Sequence, residues 1–168
     1  QDKVTTIVVE EKLIHPCKEH WFGTDEMGRD IFWRTVYATR FSIVIGFVAV
    51  AVSAIVGIPI GAIAGYYGGK IESVIMRITD IFSAVPTILM AIAIVSMLGR
   101  TTFNLMLAVG LSSVPLFIRV SRASVLTVKN SEYIEAVRAL GKTDIYIIFR
   151  HVLPNCLSPI IVQITLRV

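Results

Sequence analysis

Charged residues are scarce in this chain of 168: 17% are Asp, Glu, Lys or Arg, where a soluble domain carries about 25%. The shortage is concentrated. Phe41 to Ala64 holds no Asp, Glu, Lys, Arg or His in 24 positions. As a helix rising about 1.5 Å per residue it spans roughly 36 Å, more than the ~30 Å hydrocarbon core of a bilayer. Uncharged runs also cover Ile81 to Gly99 and Thr101 to Ile118, and a fourth starts at Val152. One such run suits a buried core helix; four predict an all-α, polytopic transmembrane helical bundle. Spans are expected at about 41–64, 72–98, 101–118 and 152–168.

Other shortages exclude other classes. Two cysteines, Cys17 and Cys156, make no disulfide framework. The net charge of +4 is modest, and no basic stripe with interleaved aromatics marks a nucleic-acid partner. A phosphate loop would need Gly at position 64 and Ser or Thr at 71; Ala64 and Ile71 stand there, so no nucleotide or other cofactor is expected on this chain. His15, Cys17 and His20 lack a fourth ligand at closed spacing, so no metal site is expected. No nucleophile–base–acid arrangement is visible, which argues against an enzyme. The first apolar run lies too deep and is too long for a signal peptide. The chain opens on Gln1 and stops inside an apolar run, so a piece of a longer protein is expected.

What is present gives an order. Residues 1–40 are polar, with six Lys/Arg against seven Asp/Glu. From Gly28 to Phe41, Ile31, Phe32, Val36 and Tyr37 share one helical face away from Arg29, Asp30 and Arg34. With Trp21 and Trp33 nearby, this predicts an interfacial helix leading into the first span. In that span Gly57, Gly61 and Gly65 recur every four residues, a spacing that lets another helix approach closely. Pro59 is tolerated in a membrane helix. The turn at Gly65–Lys70 ends the span. The second span carries Glu72, Arg77 and Asp80 early and Pro86 as an expected kink; Arg77 and Asp80, three apart, are read as a pair at the span end. Ser83, Ser96, Asn104, Ser112 and Ser113 are read as bonding their own or neighbouring helices, and substrate contacts stay unassigned. Residues 119–150 hold six Lys/Arg and three acids, and positive-inside reasoning places them in the cytoplasm. Counting back puts residues 1–40 outside, as an extracytoplasmic segment before the transmembrane domain 41–168, and calls for a further span ahead of them.

Within that cytoplasmic loop, Asn130 or Ser131 is placed to cap a short helix with Ile134, Val137 and Leu140 on its inner face, and Gly141 to end it. Thr143 is placed to cap a second helix, with Asp144 in its first turn and Ile145, Ile148 and Phe149 on its apolar side. The result is a helix–Gly–helix elbow. It suits either an amphipathic loop on lipid headgroups or a docking element for a partner.

The segment Glu135-Ala136-Val137-Arg138-Ala139-Leu140-Gly141, nine residues, then His151-Val152-Leu153-Pro154 resembles the EAA loop of ATP-binding-cassette (ABC) importer permeases. Val137 and His151 depart from that pattern. The ending Arg150-His151-Val152-Leu153-Pro154-Asn155 is similar to the dipeptide/oligopeptide/nickel branch. Phe22-Gly23-Thr24-Asp25-Glu26-Met27-Gly28-Arg29-Asp30, Ala64 to Gly69 and Met76-Arg77 with Asp80 also resemble stretches of its C-type subunits, so the likeness covers residues 20–168.

The resemblance implies a type I importer permease fold of six spans, of which this chain would lack the first, part of the fifth and most or all of the last. It implies a di- or oligopeptide permease subunit in the cytoplasmic membrane of a bacterium or archaeon. Its partners would be a related B-type permease subunit in a heterodimer, two cytoplasmic ATPases that bind the ATP and Mg, and an extracytoplasmic peptide-binding protein. Glu135, Ala136, Arg138, Ala139, Gly141, His151, Leu153 and Pro154 would couple the spans to an ATPase. A nickel or other small-solute importer of the same branch remains open. An ATP-independent channel or secondary transporter would more often carry mid-span ions or inverted repeats, and a membrane scaffold would not need the elbow.

Overall fold

The structure, a computed structural model, describes residues 11–167. Among them the chain is helical, with no strand beyond an isolated bridge between Thr24 and Asp30. It divides into two compact units between Ile45 and Gly46.

The first unit is built around Asp25. Its carboxylate accepts from the backbone N–H groups of Met27 (2.8 Å) and Arg29 (3.0 Å), from the Arg29 Nε (2.9 Å), and from Arg34. These bonds, the Arg29 N–H foremost, hold Asp25 at a pKa of about 2. Thr24 Oγ1 accepts from the Ile14 N–H at 2.9 Å. Asp30 caps the following helix, its Oδ1 accepting from the Trp33 N–H at 3.1 Å. His20 lies 3.0 Å from Asp30 Oδ2 and 3.5 Å from Glu11, so the histidine is engaged by carboxylates. The Phe22–Asp30 motif is thus a self-satisfied turn. Phe32 is ringed by Trp21, Phe22 and Trp33 at 5.0–5.4 Å.

Helix α1 runs Ile31–Tyr67 without a break, so no separate interfacial helix precedes the first span. The reason is local. Thr35, Thr39 and Ser42 donate their hydroxyls to carbonyls four residues back, so their polar groups are satisfied within the helix instead of competing with it for a cap. Pro59 also sits inside the helix.

In the second unit, α2 (Gly69–Ala84) follows a turn in which Gly68 and Gly69 have positive φ. It stops at extended Val85 before Pro86, and α3 (Thr87–Leu98) leaves at 86° to it. The expected second span is therefore two helices and a near right angle, not one kinked helix. A residue before proline is driven out of the α region, and Val85 is. Helix α4 (Thr102–Val128) packs back along α3. Thr101 accepts from the Asn104 N–H at 3.1 Å. The Asn104 side chain donates to the Leu98 and Gly99 carbonyls, closing the hairpin. Because α4 continues to Val128, the first ten residues of the expected polar loop are helix.

The chain then turns into α5 (Glu132–Ala139) and α6 (Asp144–Ile147). A wide π turn over Ile148–Val152 runs into α7 (Leu153–Asn155), and α8 (Leu157–Thr165) follows a 61° bend. The π turn lies immediately before Pro154, which cannot donate to the helical ladder. Two helices, α1 and α4, are long and apolar enough to cross a membrane; the bent pairs α2–α3 and α6–α8 raise that to as many as four.

α1 and α4 meet along the glycine seam. A Cβ on Gly57 would lie 2.6 Å from Phe117 Cβ, on Gly61 2.3 Å from the Ile118 carbonyl oxygen, and on Gly65 2.9 Å from that of Arg122. No side chain fits there, and backbone meets backbone. Gly110 makes the same approach to Ala49. Ser53 and Ser121 stitch the seam: the Ser53 hydroxyl is 2.7 Å from both the Ala49 and Gly110 carbonyl oxygens, and Ser121 donates to Ile58 at 2.8 Å.

Candidate functional site

The elbow is not a loose loop. Ile134 of α5, Ile147 of α6, Ile148 and Val152 of the π turn, and Cys156 and Ile160 beyond it are buried in one cluster with Ala62 and Tyr66 of α1 and Val125 of α4. Each fully buried isoleucine or valine contributes about 1.5–3 kcal/mol. A pair of helices this short would not persist alone in water. Packing against the ends of α1 and α4 holds them.

The inner face differs from the one read from spacing. Ile134 is buried and Val137 packs against the cluster. Leu140, however, is 77% exposed, because it lies past the last helical residue and leaves the helical phase. In the second half, Ile147 and Ile148 turn inward while Ile145 (67% exposed) and Phe149 face out. Neither expected cap forms through its side chain. Ser131 instead donates back to the Val128 carbonyl at 2.7 Å.

Of the motif residues, Glu135, Ala136 and Ala139 are exposed on α5, with Glu135 in its first turn, where the helix dipole favours an acid. Gly141 joins the two halves at φ +75, and nothing lies within 4 Å of where its Cβ would be. Its constraint is conformational, since a left-handed residue other than glycine costs about 1–2 kcal/mol. His151 is half-buried with its ring 5.5 Å from that of Tyr146. Leu153 packs on the cluster, and Pro154 is exposed.

Arg138 is exposed as well, but its head group is engaged. It reaches inward to Tyr66, its Nη2 donating to the hydroxyl at 3.2 Å and its guanidinium lying 5.5 Å from the ring centre. The Tyr66 hydroxyl in turn donates to Asp144 Oδ1 at 2.9 Å. This hydrogen bond to Tyr66 holds the Arg138 guanidinium above its ordinary pKa. Tyr66 was missed in the sequence, where it reads as one of a tyrosine pair ending a span. Lys129 adds a second tie, donating to the Gly65 carbonyl at 2.9 Å.

Charged residues pair between helices. Asp80 of α2 is bonded by Arg119 of α4 at 2.8 Å, not by Arg77, and Glu72 of α2 by Arg122 of α4 at 2.5 Å. Ser83, Ser96, Ser112 and Ser113 each donate to a carbonyl of their own helix. Ser83, Ser112 and Ser113 also line a cleft of about 190 Å³ at the α2–α3 break, with Thr87 and Arg119. A larger apolar cleft of about 420 Å³ opens between α1, α2, α3 and α4. Among the described residues no three His, Cys, Asp or Glu cluster so as to hold a metal.

Outward on the elbow are the apolar side chains of Leu140, Ile145, Tyr146 and Phe149, among the exposed charged residues Glu132, Glu135, Arg138, Lys142, Asp144 and Arg150. Exposed apolar patches of this kind mark interaction sites.

Comparison with known proteins gives this arrangement its family. A dipeptide transport system permease protein of Alkalihalophilus pseudofirmus is 50% identical over 155 residues, 92% of this chain and 51% of that one. A glutathione transport system permease protein of Pectobacterium atrosepticum is 42% identical over 153 residues, covering 91% and 51%. An oligopeptide transport system permease protein of Bacillus subtilis is 40% identical over 153 residues, covering 91% and 50%. The chain spans about half the length of these curated relatives. Residues 57–168, which hold the seam, the α2–α3 break and the whole elbow, match the family described as the binding-protein-dependent transport system inner membrane component, and the chain belongs to that family of all-helical membrane permeases.

Proposed function

We propose that this chain is part of a permease subunit of an ABC importer that carries di- or oligopeptides inward across the cytoplasmic membrane of a bacterium. One observation carries the reading. The elbow 132–155 is anchored to α1 and α4 by buried side chains, yet it keeps Leu140, Ile145 and Phe149 exposed at its outer end. An element fixed at one end and apolar at the other transmits force when a partner grips it. The partner is an ABC ATPase, two copies of which bind and hydrolyse ATP with Mg in the cytoplasm. A related B-type permease subunit completes the pathway, and an extracytoplasmic binding protein delivers the peptide. The substrate class is supported by the names of the relatives, which carry dipeptide, oligopeptide and glutathione.

In this reading Glu135, Ala136 and Ala139 meet the ATPase, Gly141 forms the corner, Leu153 and His151 brace the elbow, Arg138 ties it to Tyr66, and exposed Pro154 shapes the chain beyond the π turn. Glu135→Lys and Gly141→Asp in the complete subunit should abolish labelled-dipeptide uptake while membrane insertion stays intact. Normal uptake by both would end the coupling reading. For orientation, a cysteine replacing Ser131 should be labelled only from the cytoplasmic side and one replacing Thr24 only from outside.

A further inference from the structure

The corner of the elbow has no packing of its own. Gly141 sits at φ +75 with open space where a side chain would be, and Leu140 beside it is exposed. At Gly141 only backbone hydrogen bonding, to the Arg138 carbonyl, and no side-chain packing sets the angle between α5 and the helix that starts at Asp144. What bridges the joint is Tyr66. Its ring is buried in the cluster that holds Ile134 of α5 and Ile147 of α6. Its hydroxyl accepts from Arg138, three residues before Gly141, and donates to Asp144, three residues after. Tyr66 itself belongs to the last turn of α1, immediately after Gly65, which is pressed against Arg122 and Val125 of α4. The hydroxyl therefore links both arms of the elbow to the end of a helix that cannot slide along its neighbour.

We infer that Tyr66 is a positioning residue for coupling: its hydroxyl fixes the opening angle of the elbow, so that movement of the elbow is delivered to α1 and α4 rather than lost at the glycine joint. This rests on the coupling role given to the elbow above. It also changes the part played by Arg138, whose guanidinium is turned toward the tyrosine and serves as an internal tie. Both bonds contribute to this: the buried cluster seats each arm, and the hydroxyl joins the two arms at one atom.

The substitution Tyr66→Phe keeps the ring and removes the hydroxyl, leaving the buried cluster filled. In the complete transporter, purified with its ATPase subunits and reconstituted in liposomes, the number of ATP molecules hydrolysed per dipeptide imported should rise at least fivefold in Tyr66→Phe, with the ATPases still bound. Asp144→Leu should do the same. Asp144→Asn, which keeps an oxygen for the hydroxyl to donate to, should stay within twofold of the parent. In parallel, spin labels at positions 70 and 140 should show a distance distribution at least twice as wide in Tyr66→Phe as in the parent. An unchanged ATP-to-peptide ratio overturns the inference whatever the width, and a raised ratio at unchanged width overturns it too, because the elbow angle would then not be the cause. If the parent subunit itself fails to hold an ATPase, the coupling reading falls, and a distribution of unchanged width would then reject the tyrosine bridge separately.

Discussion

Helix α3 and the elbow invert the usual relation between apolarity and burial. α3, Thr87–Leu98, carries no charge and is apolar but for Thr87 and Ser96, yet none of its residues is buried and Met97 is 87% exposed. The elbow mixes acids, bases and hydroxyls with its apolar residues, yet Ile134, Ile147 and Val152 have no exposed surface. In a protein that lives in a bilayer, apolarity records the solvent a segment meets, because lipid satisfies a leucine as well as another helix does. Burial records which segments touch. The elbow's fixed place comes from a few inward residues, not from its average character.

That contrast can be broken. Ile134→Ala should cost about 2–5 kcal/mol through a cavity that rigid neighbours do not refill, while Ile92→Ala in α3, itself exposed, should change stability by less than about 0.5 kcal/mol. Thermal unfolding in detergent with each variant decides it, and equal losses would mean that α3 is packed as tightly as the elbow. The same measurement sharpens the comparison at the glycines. Gly61→Ala forces a methyl onto the Ile118 carbonyl and should cost about 1–3 kcal/mol. Gly141→Ala meets no atom and should cost only the backbone term, about 1 kcal/mol. A seam that tolerated alanine better than the corner does would reverse their roles.

The smallest expected effect lies in the first unit, where charge rather than burial orders the chain. Asp25 is held at about 2, below its ordinary 3.8. A carboxylate depressed in the folded state stabilises it above the unfolded pKa, and that contribution fades as pH falls from about 4 through about 2. Proteolysis of the 20–30 turn should therefore rise in that window, and Asp25→Asn should weaken the pH dependence, leaving the part carried by Asp30, whose pKa is also lowered. An unchanged profile in Asp25→Asn would mean another group governs the turn.

Much of the helical layout was legible because membrane spans must satisfy their backbone internally and shun charge; the uncharged runs located α1 and α4 directly. The glycine seam was legible too, since small residues every four positions leave few other uses. The right angle at Val85–Pro86 was not, because proline announces a missing donor without saying where the chain goes next. Arg119 and Asp80 could not be paired from sequence, being 39 residues apart on different helices, whereas Arg77 stood temptingly near. Leu140 was misread because a residue one step beyond a helix end no longer obeys its period. Tyr66 escaped because in the sequence it is only part of the turn that ends a span, and only the fold brings Arg138 and Asp144 to its hydroxyl.

The widened turn at Ile148–Val152 has a consequence for chain length. A π turn accommodates one residue more than the α-helix it interrupts. Losing a single residue there would let the ladder close up while Cys156 and Ile160 kept their azimuth. Losing one elsewhere in the run would swing everything downstream by about 100° and carry those side chains off the cluster. The widened turn is thus the place where this segment can be shortened without being rotated.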